Sequence, residues 1–133
     1  MLHRDYLLKV IKEFSTAVSK ALRKALLGDA QEQPAEQIEI VEAELGRLLD
    51  FDPKTALALA PDSLIMVLSL SGVGEAVSQH IAWTLDKLAD VYENQGDPVA
   101  QVRREQASAI AEHFGFNLTE APEGFEELAE ELR

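Results

Sequence analysis

The sequence predicts an all-α fold, a compact array of six or seven helices. Two observations carry this prediction. Apolar residues recur at the spacing of one helix face through most of the chain. Glycine and proline interrupt these stretches at points where helices end and begin. With 133 residues, the chain fits a single helical domain, 1–133, that is long enough to bury an ordinary core.

The first predicted element is a long, basic, amphipathic helix at 1–28. Its two apolar stripes are Tyr6, Val10, Phe14, Ala17, Ala21, Ala25 and Leu7, Ile11, Val18, Leu22, Leu26. Such a wide apolar face is typical of burial against more than one partner. The helix could pack on its own acidic body, on a second copy as a homodimer, or on an anionic membrane. Serine and threonine dilute its basic face and disfavour the membrane. Tyr6, Val10 and Phe14 are the predicted docking or dimer face.

The middle of the chain, 35–71, is predicted to be helical after a polar linker at 29–34. One helix covers about 35–49, and Asp50 and Asp52 are interpreted as turn and cap residues before Pro53. A short helix at 55–60 and another beginning at Pro61 follow.

A Gly-x-Gly pair after an apolar run imitates the start of a dinucleotide-binding fold. Val77 occupies the position of the third small residue, and the next segment is helical through Asn94, so no βαβ unit surrounds the motif. We therefore interpret Gly72 as the end of one helix and Gly74 as the start of the next.

An antiparallel helix hairpin is predicted at about 75–114. Leu85, Leu88, Ala89 and Tyr92 lie at i, i+3, i+4 and i+7 on one helix face. The corner Gly96-Asp97-Pro98 combines a helix-ending glycine, a good N-cap and a first-turn proline. On the second helix, Ala100, Ala107, Ala111 and Phe114 lie at spacings that put small residues, the alanines, toward the first helix. The corner is short enough to require an antiparallel pair.

This hairpin resembles a tetratricopeptide repeat, on the residues Leu85, Leu88, Ala89, Tyr92, Gly96, Asp97, Ala100 and Ala107. The likeness covers one repeat, with one residue deleted after the turn. It implies that a concave face is lined by Trp83, Asp86, Asp90, Glu93 and Asn94. The family's carboxylate clamps use basic residues there, so this mostly acidic set implies a basic protein or peptide partner. The alternative is an ordinary solvated helix face.

The whole chain also resembles a family of small bacterial all-helical proteins of uncharacterised function. The matching features are the opening Asp5-Tyr6-Leu7-Leu8 and the single hairpin near the C-terminus. This resemblance implies a fold and no activity.

A last helix, strongly acidic, is predicted at 122–132, beginning at Pro122. Phe125, Leu128, Ala129 and Leu132 form its apolar stripe. We expect the stripe to dock on the body, with the basic first helix as one candidate surface. The alternative is a tail that seeks another partner.

Charge and composition narrow the function. The net charge of −12 argues against nucleic acid as a partner. Residues 1–28 carry six cations and two anions, while 29–133 carry six cations and 22 anions. The chain has no cysteine, which fits a cytoplasmic location. The charges within the first apolar stretch leave no secretion signal, and the longest apolar run is too short for a membrane span.

No catalytic residue, cofactor site or metal site is predicted. The three histidines, His3, His80 and His113, lie far apart and match no metal-binding spacing. The sequence therefore favours a non-enzymatic protein–protein interaction or scaffold module, with a possible homodimer through the first helix. The alternative is a small-molecule or peptide-sensing helical domain with a pocket between its helices.

Overall fold

A computed structural model describes residues 4–28 and 33–133. The described part contains seven α-helices and no strand. They are α1 Arg4–Leu27, α2 Pro34–Leu49, α3 Pro53–Leu57, α4 Pro61–Leu70, α5 Gly74–Asn94, α6 Val99–Phe114 and α7 Glu126–Glu131. The predicted all-α array of six or seven helices is confirmed. Residues 1–3 of the predicted first helix, including His3, and most of the predicted linker at 29–34 lie outside the described residues.

Helix α5 is the centre of the fold. It packs against α1, α2, α4 and α6, most extensively against α6. Every residue from His80 to Leu85 is buried, so this stretch is surrounded on all sides. A helix buried all round needs apolar or hydrogen-bonded residues on every face. Ala107 and Ala111 of α6 are buried beside α5, as the small-residue prediction requires.

Helix α1 packs within its own chain through its C-terminal two-thirds. Phe14, Val18 and Leu22 are fully or almost fully buried, and α1 lies against α2 and α5. The first turns of α1 are different, because Tyr6 is 55% exposed and Val10 is half-buried. The same helix therefore has a buried C-terminal part and an N-terminal part whose apolar side chains still face solvent.

The turns at Gly72, Gly96 and Asp97 form where the sequence predicts them, whereas the short helix predicted at 55–60 spans Pro53–Leu57. Gly72 and Gly96 adopt positive φ values of 79° and 69° after α4 and α5, a conformation that costs glycine little. Asp97 Oδ1 accepts a 2.9 Å hydrogen bond from the Val99 N–H at the start of α6. Asp52 caps α3 in the same way, accepting from the Thr55 N–H at 3.0 Å.

The C-terminal segment docks on the body, although its helix is shorter than predicted. Residues 122–125 form a turn, so the helix begins at Glu126 rather than at Pro122. Gly124 has φ of 97° there, and a Cβ on it would lie 2.4 Å from Ser15 Oγ. Phe125 and Leu128 are buried. Arg23 of α1 holds Glu131 through a forked ion pair, with Nη2 2.7 Å from Oε2. The acidic segment thus meets the basic helix.

Candidate functional site

The acidic face predicted on α5 does not include Trp83. Only 2% of Trp83 is exposed, and its ring stacks on Phe125 with centroids 4.6 Å apart. The prediction that Trp83 lines a partner-binding face is therefore wrong. The error arose because the C-terminal segment covers this side chain, a contact that spans more than forty positions in sequence and leaves no local signal.

The carboxylates of the predicted face already have cations from their own chain. Arg104 of α6 reaches Asp86 at 3.3 Å, Asp90 at 2.8 Å, and Glu93. Lys87 Nζ lies 3.8 Å from Asp86 and 3.7 Å from Asp90. Burial raises the pKa of Asp86, while the two cations act in the opposite direction. Two cations thus face three carboxylates, which leaves little uncompensated charge for a basic partner. Asn94, the remaining residue of the set, is exposed.

Sequence reasoning missed Arg104. Its signal was available in the register of the hairpin, because an antiparallel turn centred on Gly96 and Asp97 brings position 104 opposite position 90. The same register that places the alanines of α6 against α5 also places the Arg104 cation against the α5 carboxylates.

A second polar network, also missed, fastens α6 to α3. Gln106 is fully buried, and its Nε2 donates to the carbonyl oxygens of Leu57 and Leu59, both at 3.0 Å. Arg103 Nη1 donates to the same Leu57 oxygen at 2.9 Å. The backbone carbonyls at and just after the end of α3 have no hydrogen-bond donor from a further helical turn. These side chains supply that donor. Their role is structural.

Glu42 and Tyr92 extend this network across α2 and α5. The Tyr92 hydroxyl donates to Glu42 Oε2 at 2.8 Å, and Arg103 Nη2 lies 3.4 Å from the same oxygen. Burial, together with the Glu42 carboxylate, raises the pKa of Tyr92 to about 12. The phenol therefore stays protonated near neutral pH and acts as a hydrogen-bond donor.

The first turns of α1 form one wall of an open apolar groove, which we call the N-terminal groove. Its volume is about 610 Å³. The lining residues come from α1, the end of α2, the end of α4 and the start of α5. They are Tyr6, Leu7, Val10, Arg47, Leu48, Leu49, Asp50, Val67, Leu70, Ser71, Val73 and Val77.

The predicted docking residues converge on this region. Tyr6, Val10 and Phe14 all line a smaller pocket of about 300 Å³ that shares Arg47, Leu48 and Asp50 with the N-terminal groove. Phe14 itself is 3% exposed, so it forms the floor of that pocket and not an accessible surface. The structure thus keeps Tyr6 and Val10 available for docking, while Phe14 belongs to the core.

Large apolar side chains project around the N-terminal groove. Leu70 is 80% exposed, the highest value among the large apolar residues described, and Met66, one turn earlier on α4, is 62% exposed. Tyr6 of α1 lines the same groove as Leu70. Scattered single apolar residues are ordinary on protein surfaces, but a group beside an apolar groove is typical of an interaction site. The sequence does not single out Leu70, because six of the seven residues from Leu64 to Leu70 are apolar and no stripe shows which of them face solvent.

His80 anchors the turn that precedes α7. It is 7% exposed, and its Nε2–H donates to the Glu123 carbonyl at 2.8 Å. Its ring lies 6.0 Å from that of Phe125, and Nδ1 has no hydrogen-bond partner among the described residues. Burial lowers the pKa of His80. The residue thus holds the C-terminal segment against α5.

The described residues, 4–28 and 33–133, contain neither a candidate membrane span nor a candidate metal site. None of their helices contains a stretch that is both long and apolar enough to cross a membrane. No three histidine, aspartate or glutamate side chains within these ranges are grouped so that they could hold a metal ion.

Comparisons with models of known protein families, with curated proteins and with solved structures give no match for this chain. The resemblances to a tetratricopeptide hairpin and to a family of small bacterial helical proteins therefore stay predictions. The site must be interpreted from its own geometry.

Proposed function

We propose that this protein is a non-enzymatic protein–protein interaction module that binds through the N-terminal groove. The observation that carries the proposal is the exposure of Leu70 and Tyr6, which line a groove of about 610 Å³, with Met66 exposed one turn before Leu70. Exposed apolar side chains gain free energy when they leave water, at about 25 cal/mol for each Å² that is buried. Interfaces concentrate this gain in a few large side chains around a pocket.

The charges around the groove agree with a protein partner. Among the lining residues only Arg47 and Asp50 are ionised, so the groove is nearly neutral on a chain of net charge −12. Interface centres are generally poor in charged residues. The acidic face of α5 is a weaker candidate because Arg104 and Lys87 already neutralise most of it.

The test is co-purification with one altered residue. Leu70→Lys removes the most exposed apolar side chain and places a charge at the groove. Val102→Lys makes the same gain of charge on α6, at a 44% exposed valine that does not line the groove. The tagged parent and both variants are expressed in the source cells, and the co-purifying proteins are identified by mass spectrometry. We expect a protein that is retained by Val102→Lys and lost by Leu70→Lys. Equal recovery with both variants refutes the proposal.

A second candidate function is a sensing domain that binds a small molecule or peptide. The groove volume favours it, because ligand pockets typically span about 300–1,000 Å³. Native mass spectrometry of the protein purified from its source would reveal a bound small molecule as an added mass. Loss of that mass in Leu70→Lys, with its retention in Val102→Lys, would support this candidate.

A further inference from the structure

We infer that the occupant of the N-terminal groove is a second copy of this chain, paired about a two-fold axis. The inference rests on the proposed function, since it names the partner of the same surface. Three features of the described residues carry it: the shape of the surface, its local charge and the charge distribution of the whole chain.

The surface contains both parts that a two-fold interface needs, exposed apolar side chains and a hollow. In a two-fold interface the same surface patch appears on both sides, so one patch must supply both projecting and receiving parts. Here Leu70 and Tyr6 project at the rim, while Val10, Leu48 and Val77 line the hollow beside them. Leu70 of each copy can enter the groove of the other, and both insertions bury apolar surface at once.

The local charge permits two acidic chains to meet here. Each copy carries −12, so contact through most of the surface brings like charges together. The groove contributes one cation, Arg47, and one anion, Asp50, both exposed. A two-fold arrangement can place Arg47 of one copy opposite Asp50 of the other, and symmetry repeats the pair. Arg47 already lies 3.1 Å from Glu44 on its own helix, and the pair with Asp50 would add a second contact across the interface.

The distribution of charge along the chain favours a second copy over a helix of another protein as the occupant of the groove. Helix α1 borders the groove and presents exposed Lys9, Lys12 and Lys20, whereas residues 29–133 carry a net charge of −16. Within one chain, Arg23–Glu131 is the ion pair that joins α1 to the acidic part among the described residues. Lys9 is the exposed lysine beside the groove residue Val10 and is available to the acidic surface of a second copy, whereas Lys12 lines a different pocket with Glu123 of its own chain. Such complementarity chiefly steers association and sets orientation, while the apolar contacts supply affinity.

Sedimentation velocity from about 1 µM to about 200 µM tests the inference, because this range covers micromolar dissociation constants. The parent should reach twice its chain mass of 14.7 kDa. Leu70→Lys should stay at one chain throughout, although it makes the chain less negative and so reduces repulsion between copies. Val102→Lys, with the same change of charge, should associate like the parent. Circular dichroism confirms that each variant is folded.

Each other outcome is decisive. A parent that stays at one chain up to the highest concentration overturns the second copy as occupant. Association that survives Leu70→Lys, or that is lost equally in folded Val102→Lys, shows that copies meet elsewhere and also overturns it. The proposed function is judged separately, since a different protein that co-purifies with the parent and is lost only in Leu70→Lys would support an interaction module whose partner is not itself.

Discussion

Replacing Phe125 by alanine should cost about 3–5 kcal/mol of the free energy of unfolding, the range for removing a buried aromatic ring. The ring is fully buried. It meets Phe14 edge-on at 6.2 Å and stacks on Trp83 at 4.6 Å, and each such aromatic pair adds about 0.5–1.5 kcal/mol beyond area burial. A domain has about 5–15 kcal/mol in total. The loss would therefore lower the melting temperature by about 10–20 °C.

The assay is urea unfolding followed by two signals. The chain has one tryptophan, and it stacks on Phe125, so its fluorescence reports on this contact. Circular dichroism reports on all helices together. In the parent, both signals should give the same midpoint, because the aromatic contact joins the C-terminal segment to the core.

Phe51→Ala is the matched control, since it deletes the same ring where 42% of the residue is exposed. We expect it to cost about 1–2 kcal/mol, in proportion to the buried part of the ring. If Phe125→Ala does not fold, Phe125→Leu retains most of the volume but loses both aromatic pairs, and it should cost about 1–3 kcal/mol. A loss below about 1 kcal/mol in Phe125→Ala would show that the C-terminal segment is not part of the cooperative core, and the packing argument would fail.

Three further predictions concern single contacts. Gly124→Ala should destabilise the fold by more than about 1 kcal/mol in urea unfolding, because alanine disfavours a φ of 97° and its Cβ would collide with Ser15 Oγ; Gly96→Ala, at positive φ but with open space, should cost less, and equal costs would contradict the collision. Burial lowers the pKa of His80 in the folded state, so the unfolded chain binds a proton first as pH falls below about 6.5. Stability should then fall toward acid, by at most about 1.4 kcal/mol per pH unit for this one proton, and His80→Gln should flatten that part of the profile; an unchanged slope would show that His80 is not its source. Arg104→Gln should cost about 1 kcal/mol at low salt, and the difference from the parent should shrink as salt is added, because these ion pairs are partly exposed; a salt-independent loss would assign Arg104 a packing role instead.

Local chemistry allowed most helix boundaries to be predicted. Pro61 and the corner at Gly96 and Asp97 act on their own neighbours in the chain, so their effects are visible without any knowledge of the fold. The last helix was misplaced by a local rule as well. Pro122 suits a first turn, but the close approach of Gly124 to Ser15 holds residues 122–125 as a turn. At this position, a contact with the distant residue Ser15 outweighs the local preference of Pro122 for the first turn of a helix.

The candidate site was only half visible for the same reason. Tyr6 and Val10 could be singled out because the wide apolar face of the first helix is visible in the sequence, and such a face is typical of burial against more than one partner. Leu70 could not, since an apolar run does not indicate which of its members face solvent. Trp83 was assigned to the surface because nothing near it in sequence shows that Phe125 covers it.

The sequence by itself determined that this chain forms helices, roughly where each begins and ends, and that its charge is divided between a basic first helix and an acidic remainder. Tertiary structure alone decided that Phe125 covers Trp83, that α1 is buried along only part of its length, and that Leu70 of α4 lines the same groove as Tyr6. The physical reason is the distance along the chain over which each effect acts. Propensity, capping and periodicity depend on residues within a few turns of each other, whereas burial and charge pairing depend on which distant segments share the core.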